Sequence, residues 1–235
     1  MKTNFFFTPS ALLIILAALT SGKGMAQACS TYYPMKEGVR LEYTLYDKKD
    51  KVEGTQWQEF RNVQETSEGL EAEVHMGFSD AKGKEVYETS YGMTCNGSVI
   101  RIDYQSLLSG PMLDQYGEME AEITGTDMEL PNNLEVGMEL PDSQVTMTID
   151  MGAMNMKMEV EVTGRKVEKK ETVTTAAGSF ECFVIYSDTR SKMMMANQNF
   201  PTRTWIAPDV GMVKSESYNK SGKLTSRMEL SGISG

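Results

Sequence analysis

The chain has 235 residues, with 33 acidic against 23 basic side chains, a formal charge of −10, one histidine and 19 methionines. A surface this acidic repels nucleic acid and anionic lipid headgroups, which excludes both as primary partners and leaves solubility as the ordinary use of the charge. With a single histidine, any hydrolytic triad or histidine metal cluster would have to be built around His75.

Residues 1–28 read as an export signal. Lys2 supplies a positive start, Phe5 to Leu19 form an apolar run, and Ala26-Gln27-Ala28 makes a small-x-small cleavage site ahead of Cys29. The apolar run falls short of the ~20 residues a spanning helix needs, and nothing downstream offers a second span. Residues 29–235 are then one mature domain of charge −12, since the signal removes Lys2 and Lys23. Its location is outside the cytoplasm, periplasmic or secreted. That compartment permits one disulfide among Cys29, Cys95 and Cys182. Cys29 and Cys95 both lie beside turn-like sequence and form the expected pair, which by chain entropy would stabilise the fold by about 4 kcal/mol. The competing reading makes Cys29 the lipidated first residue of a surface-anchored protein.

From Val39 onward the chain is governed by period-two alternation. Val39, Leu41, Tyr43 and Leu45 alternate with polar residues, as do Leu70, Ala72, Val74, Met76 and Phe78. Such patterning marks strands with one buried and one wet face, the habit of antiparallel sheet. His75 falls on the wet face beside Glu71 and Glu73. Asp47 to Asp50, Asp80 to Gly83, Asn96-Gly97 and Asn219 to Gly222 each supply turn chemistry between two such runs. A single helical turn is expected over Tyr104 to Leu108. Alternation resumes at Met119, Ala121 and Ile123. A longer connection, Leu130-Pro131 to Leu140-Pro141, then marks a rim loop or a seam between two halves of the sheet.

Two alternating runs, Val145 to Met151 and Met154 to Val162, carry much of the methionine. Met154, Met156 and Met158 have a spacing that suits copper(I), because thioethers are soft ligands. The same spacing puts three adaptable side chains on one buried strand face, as core or as cavity lining. Of the triplet Met193 to Met195, at least one member must be exposed or at an edge. Cys182 shares a face with Phe180, Val184 and Tyr186 and reads as a small buried hydrophobe. Trp57, Trp205, Tyr32, Tyr33, Tyr87 and Tyr91 could line a sugar platform, but core and rim packing is the commoner use. In Pro208-Asp209-Val210-Gly211, proline presets a turn and glycine permits a positive φ. Gly211→Val is therefore expected to cost roughly 1 kcal/mol or more.

So many one-sided strands must close on themselves or pack as two sheets. Outward Glu, Lys, Thr and Asp argue against an outer-membrane barrel. The expected fold is all-β: after the signal helix, a single curved antiparallel sheet or partly open β-barrel of roughly twelve strands.

Three segments carry a family resemblance: Tyr33-Pro34-Met35-Lys36-Glu37-Gly38 leading to Leu41-Glu42-Tyr43, then Thr175-Ala176-Ala177-Gly178-Ser179-Phe180-Glu181-Cys182, then Trp205 to Lys214. Together they resemble the TapB-like group of exported bacterial β-proteins, a domain of unknown function. The resemblance implies a curved sheet or barrel and an envelope location. It brings no catalytic residues.

No Gly-x-Ser-x-Gly, His-Glu-x-x-His or Cys-x-x-Cys occurs. The expectation is a non-enzymatic envelope protein without a cofactor, its sheet forming a cavity for an apolar or lipid-like molecule. The alternatives are a structural module docking on another envelope protein and, third, a methionine-based copper binder.

Overall fold

The computed structural model describes residues 32–108, 121–150, 155–193 and 196–235; the signal segment and Cys29 lie outside them, as do Met154, Met194 and Met195. The described residues form thirteen strands: β1 (Arg40–Asp47), β2 (Val52–Thr66), β3 (Gly69–Asp80), β4 (Glu85–Cys95), β5 (Val99–Ile102), β6 (Ala121–Thr126), β7 (Met128–Pro131), β8 (Ser143–Asp150), β9 (Asn155–Thr175), β10 (Gly178–Met193), β11 (Ala196–Ala207), β12 (Gly211–Tyr218) and β13 (Leu224–Ser234). The one helical piece described is a 3-10 turn over Tyr104–Leu107, capped by the Asp103 carboxylate. Among the described residues no helix is long and apolar enough to cross a membrane.

All strands join one antiparallel sheet in the order β6-β8-β9-β10-β11-β12-β13-β1-β2-β3-β4-β5-β7. Neighbours in space are mostly neighbours in sequence, because short hairpins join them. Three hairpins share one device. The Asp47 carboxylate accepts the amides of Lys49 and Lys51 at 2.7 and 2.9 Å. Asp80 does the same for Lys82 and Lys84, and the Asn219 carbonyl for Ser221 and Lys223. A side-chain oxygen at the first turn position thus satisfies amides that the ladder has released.

The two edges of the sheet are β6 and β7, and only Asp127 separates them in the chain. Strand twist carries thirteen strands round until the edges meet, giving an almost closed barrel. Side chains hold the corner where β6 passes into β7. Ser143 Oγ donates to the Thr126 carbonyl at 2.7 Å, and the Tyr104 amide donates to the Asp127 carboxylate. The connection expected after Leu130 leads from edge strand β7 to β8, the neighbour of the other edge, except that its first residues belong to β7, paired with β5.

Inside the barrel lie two apolar clusters. The larger gathers Leu41, Tyr43, Phe60, Val74, Met93 and Leu230 among others. The smaller holds Val145, Met147, Ile149, Met156 and Met158 beneath Leu108. Each fully buried side chain of this size contributes about 1.5–3 kcal/mol. Met76 and Phe78, expected inside, are only half-buried. The residue buried between them is Gly77, directly across from Trp57, whose indole occupies the space a Cβ would need.

On the outer face the alternating charges are cross-strand pairs rather than merely solvated groups. Arg203 grips Glu168 at 2.7 and 3.1 Å, and Lys192 lies 3.5 Å from both Glu159 and Glu161. Such exposed pairs are worth about 0–1 kcal/mol each.

Candidate functional site

Strand β9 buries Met156, Met158, Val160 and Val162, all on even numbers, and then Arg165 and Val167, on odd ones. The parity changes at a bulge. Pairing with β10 steps from Lys166 opposite Tyr186 to Thr163 opposite Asp188, so Gly164 and Arg165 together face Ser187. Gly164 has φ +59°, the left-handed conformation a glycine adopts without steric cost. A bulge of this kind re-aims the following side chain. Here it turns an arginine inward.

Arg165 is 5% exposed. Its Nη1 donates to the Glu129 carbonyl at 2.9 Å and to the Pro141 carbonyl at 2.7 Å, tying β9 to β7 and to the connection before β8. Among the described residues no other acceptor takes its remaining N–H groups, and no carboxylate lies within ion-pair distance. Burial pushes its pKa down, and the acidic groups of Tyr33, Asp142 and Glu129 partly offset that.

Arg165 lines a cavity of about 350 Å³ inside the barrel. One side is apolar, built from Ile102, Leu107, Met128, Leu130, Val160 and Val162. The other side presents hydroxyls from β10, β11 and β12: Ser187, Thr189, Thr202, Thr204 and Ser215. Ser187 and Thr202 hydrogen-bond to each other at 2.7 Å. Tyr33 completes the wall, and burial pushes its phenol up to about 12, with Arg165 drawing it back slightly. Tyr43 is buried beyond it and donates to the Met212 carbonyl at 3.0 Å. Members of both apolar clusters line the space, so the cavity sits between them. Its size is within the ~300–1,000 Å³ range of small-molecule sites.

The residues singled out from the sequence are not brought together. His75 lies on the outer face, 3.2 Å from Glu73 and 3.4 Å from Arg61. Among the described residues no group of three or more His, Cys, Asp or Glu side chains could hold a metal ion. Met156 and Met158 are packed against Met147 and Ile149 in the smaller cluster. The aromatics form no platform. Trp205 is buried with its Nε1 on Glu171 at 2.7 Å, Tyr87 stacks on Phe78, and Arg40 covers Trp57 at 4.2 Å. Cys182 is a free, buried thiol that burial pushes up to about 11. Cys95 is buried in the larger cluster, while Cys29, and with it the pairing of the two, lies outside the described residues. Arg165 was not singled out. A signal for it exists, since a glycine interrupting an alternating run marks a bulge.

A nearly closed antiparallel barrel with a polarised interior cavity is thus the class of protein. Residues 36–230 match the DUF3108-like family, and the chain belongs to it. The likeness to the TapB-like group rests on the quoted segments alone. No curated protein matches the chain. Two crystal structures share the fold. One is a candidate exported protein with YmcC-like fold from Bacteroides fragilis, 22% identical, with a TM-score of 0.72. The other is a candidate lipoprotein from Parabacteroides distasonis, 20% identical, with a TM-score of 0.73. Each comparison covers 88% of this chain and all of the other.

Proposed function

We propose that the mature chain is an exported, non-enzymatic binding protein whose barrel holds an apolar or amphipathic, lipid-like small molecule. The carrying observation is the cavity of about 350 Å³ between the two apolar clusters. The signal-like residues 1–28 support export, and so do the descriptions of the two structural relatives as exported protein and lipoprotein. In this reading Cys29 is paired with Cys95. The exposed large apolar residues described, Val52, Val86, Val136 and Ile233, lie on separate elements, which favours an interior guest over docking as the sole role.

Native mass spectrometry of freshly purified mature protein tests the reading. A co-purifying small molecule is expected, and Val162→Trp, which fills the cavity, should abolish it. Absence of any adduct, together with a crystal structure whose interior is filled by side chains, would refute the proposal.

A further inference from the structure

A buried charge without a counter-charge is costly, and proteins ordinarily pair or neutralise it. Arg165, at the wall of the cavity, has no carboxylate within ion-pair distance among the described residues, and Tyr33, Asp142 and Glu129 compensate it only from farther off. Its Nη1 hydrogens are used by two carbonyls, while Nε and Nη2 have no acceptor among the described residues. The residue facing it across the bulge is Ser187, whose hydroxyl lines the same space and joins Thr202. The guanidinium-bearing residue and a pair of hydroxyls therefore lie side by side. Along the same strand, away from the bulge, Val160 and Val162 continue the lining, joined by Leu107 and Met128. The space is polarised, with Arg165 beside Ser187 at one end, hydroxyls of β10 to β12 along one side and Val160, Val162, Leu107 and Met128 along the other.

We infer that the cavity takes a single-chain acidic amphiphile, its carboxylate or phosphate on Arg165 and Ser187 and its chain along Val160, Val162 and Leu107. This rests on the proposed cavity function and adds the headgroup to it. Guanidinium matches such acids bidentately through two parallel N–H groups. At roughly 30 Å³ for each methylene-sized group, 350 Å³ admits a chain on the order of ten carbons. The acidic exterior still repels anionic membrane surfaces. Inside, Arg165, with no carboxylate in ion-pair distance among the described residues, reverses the preference for a single acid that has left the membrane.

The experiment titrates delipidated mature protein calorimetrically with decanoate, with decanol and with inorganic phosphate. Wild type should bind decanoate at least tenfold tighter than decanol, with no measurable binding of phosphate alone. Arg165→Met should lose that preference while keeping decanol. Equal affinity for decanoate and decanol in wild type overturns the headgroup assignment and leaves the cavity reading standing. Binding of neither overturns the cavity reading itself. Phosphate bound as tightly as decanoate makes this a small-anion site and overturns the amphiphile. Should Arg165→Met fail to fold, the wild-type ratio decides by itself, and Arg165→Lys, which keeps the charge, should retain a preference for the acid.

Discussion

Gly211 joins the turn after β11 to β12, and its replacement by valine probes backbone and packing together. The residue has φ +83°, and a Cβ there would fall 2.7 Å from Cδ1 and 2.8 Å from Cε1 of Tyr33. The left-handed backbone costs an L-residue about 1–2 kcal/mol. Tyr33 is held in the cavity wall, so relieving the overlap adds an overpacking cost of about 1–3 kcal/mol. Gly211→Val should therefore destabilise by roughly 2–5 kcal/mol, well above the expectation from turn chemistry alone. Gly222→Val is the control, because its φ is +74° but nothing lies within 4 Å of the added Cβ. It should cost only the backbone share. Urea unfolding at constant m-value reads both, and the Gly211 variant should melt on the order of 10 °C lower. In a Tyr33→Ala background the two glycine variants should cost the same. Equal losses for Gly211→Val and Gly222→Val in the wild-type background would refute the clash with Tyr33.

Cys182 should resist alkylation at pH 8 in the folded protein, since burial holds its thiol near 11, and unfolding without reductant should expose one thiol. Three thiols under those conditions, or two with Cys29 lipidated, would refute the Cys29–Cys95 pair, and intact mass would show which applies. Burial raises the Glu216 carboxyl, but the Lys214 ammonium and the Tyr218 hydroxyl outweigh it, and the net pKa is lowered. A lowered carboxylate stabilises the fold above its unfolded pKa, and that contribution is lost as pH falls through the folded value. Urea midpoints of Glu216→Gln should accordingly converge on wild type in acid and fall below it at neutral pH; parallel curves would sink the assignment. Met158→Ala should cost about 2–5 kcal/mol and Met158→Leu less than about 1.5 kcal/mol by thermal unfolding. Copper(I) titration should not distinguish wild type from the double variant Met156→Leu and Met158→Leu, and a lost equivalent of copper would return those thioethers to a ligand role.

Particular residues show how far the sequence was legible. The hairpins at Asp47, Asp80 and Asn219 were readable because an Asx turn is made by residues within four positions of each other. Met156 and Met158 were readable as core or cavity lining because alternation is a local property of one strand. Met76 failed because a strand can run past the end of its core, and nothing in its own neighbours reports where the core stops. Arg165 was missed because its inward turn depends on how β9 pairs with β10, where the facing residue, Ser187, lies far along the chain.

By itself, the sequence determined an all-β domain of hairpin-linked strands, one buried face, the turn positions and an acidic exterior. All of these follow from spacings of two to five residues, where backbone geometry and local hydrogen bonding decide. Only the tertiary structure decided that the sheet curls until its edge strands β6 and β7 almost meet, that a cavity remains between two apolar clusters, and that a bulge turns one arginine toward it. Those depend on the accumulated twist of thirteen strands and on the register between them. Register is a relation between distant segments, and no window of one strand contains it.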